Sequence, residues 1–392
     1  MSVSKKKFDL VKYGLTGAHK KLGVNLFRFV FSGTKKSDLS EKRFFVELEL
    51  LNPHVSPNEP VFGYAPKTNV NPEDLQEILL GKTSQKTYSG EDIETPSYCA
   101  IRFGVLGTKS KLLCAYFPFN KLYFFQHPFK IEVGKFSFLE DSLVGNIFLT
   151  ESEVQNHPEY FCNSGEVSWN LKYQVERFAS KGFKNKTERW LPFGLVSSFY
   201  GTVNLDGEEY SVLPQKSRGY VERFWSKNFN LDTWFHLSSC DLVSLISGKH
   251  LNNYSFSIQG VFNNKLSVIC NFGDTDISYS ADQTDRDYTV VWDCSQVPES
   301  EDSDFQNLHW SVSVTSKEWV LDIDIFCNLK ALTNRNLELP EGKRTVLNIV
   351  QCGSGVGEIK LYKKLKNSLE QIEYAKTETA FCEFGKKESH DY

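Results

Sequence analysis

The stretch Leu195-Val196-Ser197-Ser198-Phe199-Tyr200-Gly201-Thr202-Val203-Asn204-Leu205-Asp206-Gly207-Glu208-Glu209-Tyr210-Ser211-Val212-Leu213 reads as two strands joined by a tight turn. Asp-Gly readily supplies the two positive φ angles that a two-residue hairpin turn demands. The same kind of segment recurs along the chain. Asn25 to Phe31, Arg43 to Leu51, Tyr98–Val105, Leu112–Phe119 and Val167–Val175 lie upstream. Gly219–Trp225, Thr233–Cys240, Tyr254–Val261, Lys265–Phe272, Trp319–Cys327, Thr345–Cys352 and Gln371–Phe384 lie downstream. Roughly twenty short strands separated by turn signals predict an all-β protein. One closed sheet of that size would be a wide channel, so two antiparallel β-barrels of about eight to ten strands each are expected. The break is placed near the basic loop Lys181 to Thr187 and Pro192, giving domains 1–195 and 196–392. The one good helix signal is Pro72–Leu80, with proline in its first turn and Gly81 past its end. Glu151 to His157 reads as one further helical turn.

The chain of 392 residues carries a net charge of −4, which speaks against a nucleic-acid binder that neutralises phosphates. Thirty-one phenylalanines and seventeen tyrosines against a single methionine suggest rigid β packing. The nine cysteines are scattered, odd in number and never spaced Cys-x-x-Cys. Nine free thiols, no structural metal site and a cytoplasmic location are expected from that pattern. Lys5-Lys6-Lys7 is not followed by an apolar run, and no stretch approaches the roughly 18 apolar residues of a membrane helix. At most a peripheral membrane contact is expected.

Several motifs carry no chemistry. Gly353-Ser354-Gly355-Val356-Gly357 leads into the strand-like Glu358–Tyr362, whereas a phosphate loop leads into a helix, so a β-turn is expected. The acidic runs Asp282 to Asp287 and Glu299 to Asp304 lack the spacing of a calcium loop. The histidines show no triad-like spacing, and there is no Gly-x-Ser-x-Gly elbow.

Gly219-Tyr220-Val221-Glu222-Arg223-Phe224-Trp225, then Phe229 and Thr233-Trp234-Phe235-His236, gather an acid, a guanidinium, an imidazole and several rings. Read as a hairpin, Tyr220, Glu222 and Phe224 share one face and Val221, Arg223 and Trp225 the other. Trp234, His236 and Ser238 share a face of the return strand. One register sets Glu222 against His236; a slip by one residue sets Arg223 there instead. The same residues serve equally well as a packed hairpin or as a reactive pocket.

This segment resembles the tocopherol cyclase family. Gly219 and Tyr220 match its opening pair, Glu222 its acid, Trp225 and Trp234 its tryptophans and Phe229 its phenylalanine. Arg223 stands for its lysine. Ser226, Asn230 and His236 depart from its glycine, proline and second tryptophan. Asn170, Pro192-Phe193-Gly194 and Cys382-Glu383-Phe384-Gly385 resemble the family's flanking segments. The resemblance implies two lipocalin-type, calycin-like barrels, akin to carotenoid hydratases. It implies a cofactor-independent, proton-initiated cyclisation or isomerisation of a lipophilic isoprenoid-type substrate. Glu222 would be the proton donor, with Arg223 and His236 orienting the acid or the substrate head group. Tyr220, Trp225, Phe229 and Trp234 would wall an apolar cavity. A non-catalytic carrier of a lipophilic ligand on the same scaffold is the alternative, and an interaction protein with filled barrels is the third reading.

Overall fold

A computed structural model describes residues 23–63, 76, 79, 95–125, 128–179, 182–184, 188–227, 233–262, 265–273, 275–279, 288–298, 306–341 and 346–387. The protein is nearly all β, and its strands form two antiparallel units, a closed barrel and a half-barrel. The first sheet comprises β1 (Val24–Lys35), β2 (Glu41–Leu51), β3 (Tyr98–Leu106), β4 (Lys111–Phe117), β5 (Leu122–Phe125), β6 (Lys130–Val133), β7 (Phe136–Leu139), β8 (Ser142–Leu149), β9 (Gly165–Phe178), β10 (Phe183–Lys184), β11 (Glu188–Leu205), β12 (Glu208–Val212) and β13 (Arg218–Ser226). The second comprises β14 (Thr233–Ser239), β15 (Val243–Ser244), β16 (Tyr254–Phe262), β17 (Lys265–Phe272), β18 (Thr275–Tyr279), β19 (Thr289–Pro298), β20 (Gln306–Thr315), β21 (Trp319–Asn328), β22 (Thr333–Glu338), β23 (Val346–Lys364) and β24 (Leu369–Lys387).

The Asp206-Gly207 hairpin forms as expected: β11 pairs with β12, and both turn residues have positive φ. The turn at 151–157 is a short helix, Glu151–Asn156, begun by a capping box between Thr150 and Glu153. Of the helix expected at Pro72–Leu80 only Gln76 and Leu79 are described, and both are helical. Both acidic runs lie outside the described residues. Among the described residues no helix is long and apolar enough to cross a membrane.

Three expectations are corrected. The chain leaves the first sheet between Ser226 and Thr233, not at 195/196, because β11 runs on past Pro192 and carries β12 and β13 beside β1. The glycine-rich stretch 353–357 is not a turn but an irregular part of β23. A side chain at Gly357 would collide with the Asp324 carbonyl 1.9 Å away, so only glycine lets β21 and β23 approach there. Cys327 and Cys352 are joined in a disulfide, because β21 and β23 are neighbours and bring their Cα atoms to 6.8 Å. The other seven cysteines are free.

Side-chain alternation explains how the two units meet. On β1, Phe27, Phe29 and Phe31 point into the first unit's core, as do Phe44, Val46, Leu48 and Leu50 of β2 and Cys99, Ile101, Phe103 and Val105 of β3. The alternate residues are buried too. Leu26, Leu51, Tyr98 and Ala100 from the first sheet pack with Trp234, Ile269, Leu337, Leu347 and Ile349 from the second. Each unit has a separate apolar core, and a seam lies between them. Strands buried on both faces lose the apolar-in, polar-out pattern of a one-sided sheet.

Candidate functional site

The seam is crossed by a row of buried charges. Register sets Glu222 of β13 beside Arg28 of β1, Arg28 beside Glu47 of β2, and Glu47 beside Arg102 of β3. Signs alternate along this row, which favours each cross-strand pair. A second row, Gln259, His236, Glu383 and Gln351, runs across β16, β14, β24 and β23. Arg28 ties the rows together. Its Nη1 donates to Glu222 Oε1 and to Glu383 Oε2, both at 2.9 Å, and its Nη2 donates to Glu47 Oε2 at 3.0 Å. Arg335 of β22 donates to Glu47 Oε2 at 2.7 Å. Arg102 donates to Glu47 Oε1 at 3.1 Å and forms an ion pair with Glu49.

Burial opposes charge at each of these groups, and the partners decide the outcome. Burial alone would lower the Arg28 pKa, but Glu383, Glu47 and Glu222 hold it above the ordinary arginine range. Burial likewise resists ionisation of Glu47, yet Arg335, Arg28 and Arg102 pull its carboxyl down to about 2. Glu49, for which burial outweighs Arg102, is shifted upward. Burial lowers the pKa of His236, which favours the neutral ring at neutral pH.

Glu222 is among the most completely engaged of these carboxylates. Oε1 accepts from Arg28, while Oε2 accepts from Trp190 Nε1 at 2.7 Å and the Tyr220 hydroxyl at 2.8 Å. Tyr220 also bonds Ser257 across the seam at 2.8 Å. The expected Glu222–His236 proximity exists, with Nδ1 3.9 Å from Oε2, but not through a hairpin. β13 lies between β1 and β11, whereas β14 lies between β16 and β24. The alternation on β13 holds. Arg223 is turned to the opposite side, over the Phe27 ring at 4.4 Å and bonded to Asn25. Trp225 is buried and shares that side. Trp234 reaches the network through Glu383, donating to its Oε2 at 2.9 Å. Phe229 lies outside the described residues. Tyr220, Glu222, Trp234 and His236 are therefore brought together, and Arg223 and Trp225 are not. Glu222 faces hydrogen-bonding partners in the seam, where the sequence predicted the wall of an apolar cavity.

At one end of the seam the charges give way to rings. Phe62, Tyr98, Tyr116 and Tyr160 pack around one another with centroids 4.8–5.6 Å apart. They line a cavity of about 20 Å³ together with Arg102, Arg335, Asn336 and Glu338. That is room for one water. Glu338 Oε1 accepts from the Gly63 N–H at 2.8 Å, while its buried Oε2 receives no well-formed hydrogen bond and the Tyr98 hydroxyl adds only a weaker interaction with the carboxyl. The side-chain amide of Asn336 and Nε and Nη2 of Arg335 are also buried without partners. Burial, against hydrogen bonding from Tyr98, pushes the Glu338 carboxyl up to about 8, and nearby Glu49 adds to the shift. Three arginines are engaged by Glu47, Glu49, Glu222 and Glu383, so among the described residues none forms a direct ion pair with Glu338, and the charge of Arg102 only partly offsets its burial.

Arg28, Glu47, Arg102, Arg335 and Glu338 did not stand out in the sequence, and Glu383 did so only within a segment resembling the family's flanks. A usable signal was present: Arg28, Glu47 and Arg102 alternate with core residues on strands that are otherwise strongly apolar. On a one-sided sheet such residues face water, and only the second sheet makes them internal.

Neither a protein-family model nor a curated sequence matches the chain. Among solved structures it is similar to an AttH protein from Nitrosomonas europaea, with 9% identity, a TM-score of 0.45 and 98% of each chain covered. It is also similar to CghA bound to Sch210972, with 10% identity and a TM-score of 0.44 over 94% of this chain and 90% of that one. Kievitone hydratase from Nectria haematococca gives 12% identity and a TM-score of 0.37 over 93% and 89%. At such similarity no residue of this chain inherits a role.

Proposed function

We propose that the seam is the working part of a proton-initiated, cofactor-independent conversion of an apolar substrate, with Glu338 as the proton donor. The observation that carries this reading is a carboxyl oxygen without a well-formed hydrogen bond at the wall of a ring-lined cavity. A carboxylic acid kept neutral by burial can deliver its proton near neutral pH. The rings of Phe62, Tyr98, Tyr116 and Tyr160 offer faces to a developing cation, and the unpartnered groups of Arg335 and Asn336 offer donors to a substrate oxygen. Substrate enters by displacing Phe62 and Tyr160, which sit outside the strands. Cyclisation of a prenylated quinol, as the resemblance implies, is the finer form of this reading. Glu222, with both oxygens engaged, then holds Arg28 and Tyr220 in place.

The small size of the cavity favours a second reading, in which the seam only joins the two units. Turnover of a prenylated quinol separates the two. Under the first reading Glu338→Gln lowers turnover by about 10²-fold or more and leaves substrate affinity nearly unchanged. Full turnover in Glu338→Gln with loss in Glu222→Gln returns the acid role to Glu222. Wild-type protein that neither binds nor converts the quinol leaves the joining reading.

A further inference from the structure

A second, chemically different space lies where the two sheets diverge. It is a cleft of about 610 Å³ with Arg43 of β2 in its lining. Its acidic and basic side chains fall into pairs. Arg218 bonds Glu176 at 3.1 Å, His250 bonds Asp241 at 2.7 Å, and Lys216 lies 3.8 Å from Glu41. Asp241 is further occupied by the Thr379 hydroxyl at 2.9 Å. Each of the three carboxylates thus has its own base; Arg43 forms no direct ion pair, and the charge of Asp241 reaches it only at longer range. The Arg43 side chain is more than nine-tenths buried, and Nε has no hydrogen-bond partner. A buried guanidinium without a directly bonded counter-charge is costly to keep in a folded protein.

We propose that this cleft binds a small polar oxyanion, a phosphate or a carboxylate, whose charge is met by Arg43. The guanidinium fork matches either group, since both present two oxygens at suitable spacing. The cleft is far larger than a bare ion and falls within the size range of metabolite sites. Ser32, Gln215 and Asn252 in its lining suit a ligand that also carries hydroxyl groups. This site shares no lining residue with the ring-lined cavity and does not depend on the function proposed for it.

Calorimetric titration of the full chain with inorganic phosphate, glucose 6-phosphate, gluconate and glucose, at constant ionic strength, tests the proposal. An anion should bind and glucose should not. Binding by glucose 6-phosphate but not gluconate assigns the phosphate class, and the converse assigns the carboxylate class. Arg43→Met should weaken that binding by at least about tenfold, while melting no earlier than wild type in anion-free buffer. If Arg43→Met fails to fold, Arg43→Lys keeps the charge without the fork and should still bind more weakly than wild type. No anion binding to wild type up to about 10 mM, or equal affinity in wild type and the Arg43 variant, overturns the proposal.

Discussion

The centre of the seam and its ring-lined end each bury a glutamate, Glu47 and Glu338, yet they treat it in opposite ways. At the centre Glu47 touches Arg28, Arg102 and Arg335 and is ionised far below the usual range. At the end Glu338 lies among rings and holds its proton up to about pH 8. Burial is the leading influence on both, and it pushes both upward. What differs is the supply of guanidinium contacts. The seam therefore separates a rigid charged joint from a site poised to give up a proton, using one residue type.

The comparison breaks most readily at Arg28. Arg28→Met removes the cation shared by Glu47, Glu222 and Glu383 and leaves buried carboxylates uncompensated. We expect a loss of roughly 3–5 kcal/mol in urea unfolding. A loss below about 1 kcal/mol would mean that the network contributes no more than a surface pair.

Next in size are two opposite dependences on pH. The depressed pKa of Glu47 gives stability that is present above the ordinary carboxylate range and is lost as pH falls from about 4.5 toward about 2. The raised pKa of Glu338 works the other way. Between about 4.5 and about 8 the unfolded chain ionises this group while the folded protein keeps it protonated, so stability falls as pH rises and levels off above 8. Each limb is worth on the order of a few kcal/mol. Chemical unfolding across this range should show both, and Glu338→Gln should shrink only the alkaline limb, to which the raised pKa of Glu49 also contributes. A limb undiminished by Glu338→Gln would assign it to another group.

The smallest effect sharpens the contrast. Near pH 6.5 Glu222→Gln loses charge-assisted bonds and should cost about 1.5–3 kcal/mol, whereas Glu338→Gln replaces a neutral acid by a neutral amide and should cost under about 1 kcal/mol. Equal costs would mean that the Arg28 contact adds nothing to the bonds of Glu222.

Much of the fold was legible because local chemistry wrote it. Asp206-Gly207 set a hairpin, the apolar segment Asn25 to Phe31 set a strand, and repeated turn signals set two antiparallel units. The site was only half legible. Alternation correctly put Tyr220 and Glu222 on one side of their strand and Arg223 on the other. It could not say that β13 and β14, adjacent in the chain, belong to different sheets, because the choice of partner depends on strands distant in sequence. Arg28 and Glu383 are separated by 355 positions and meet only in the finished seam. Glu338 sits on a strand of mixed polarity, Thr333-Asn334-Arg335-Asn336-Leu337-Glu338, which reads as surface until a second sheet covers it.

The protonation state of Glu338 can be read directly by infrared difference spectroscopy of wild type against Glu338→Gln. The wild type should show a carboxylic-acid C=O band at pH 6.5 that is missing in the variant and titrates away with a midpoint of about 8. A wild type with no such band at pH 6.5, or one whose band titrates in the ordinary carboxylate range, would contradict the assignment of Glu338 as the seam's proton store.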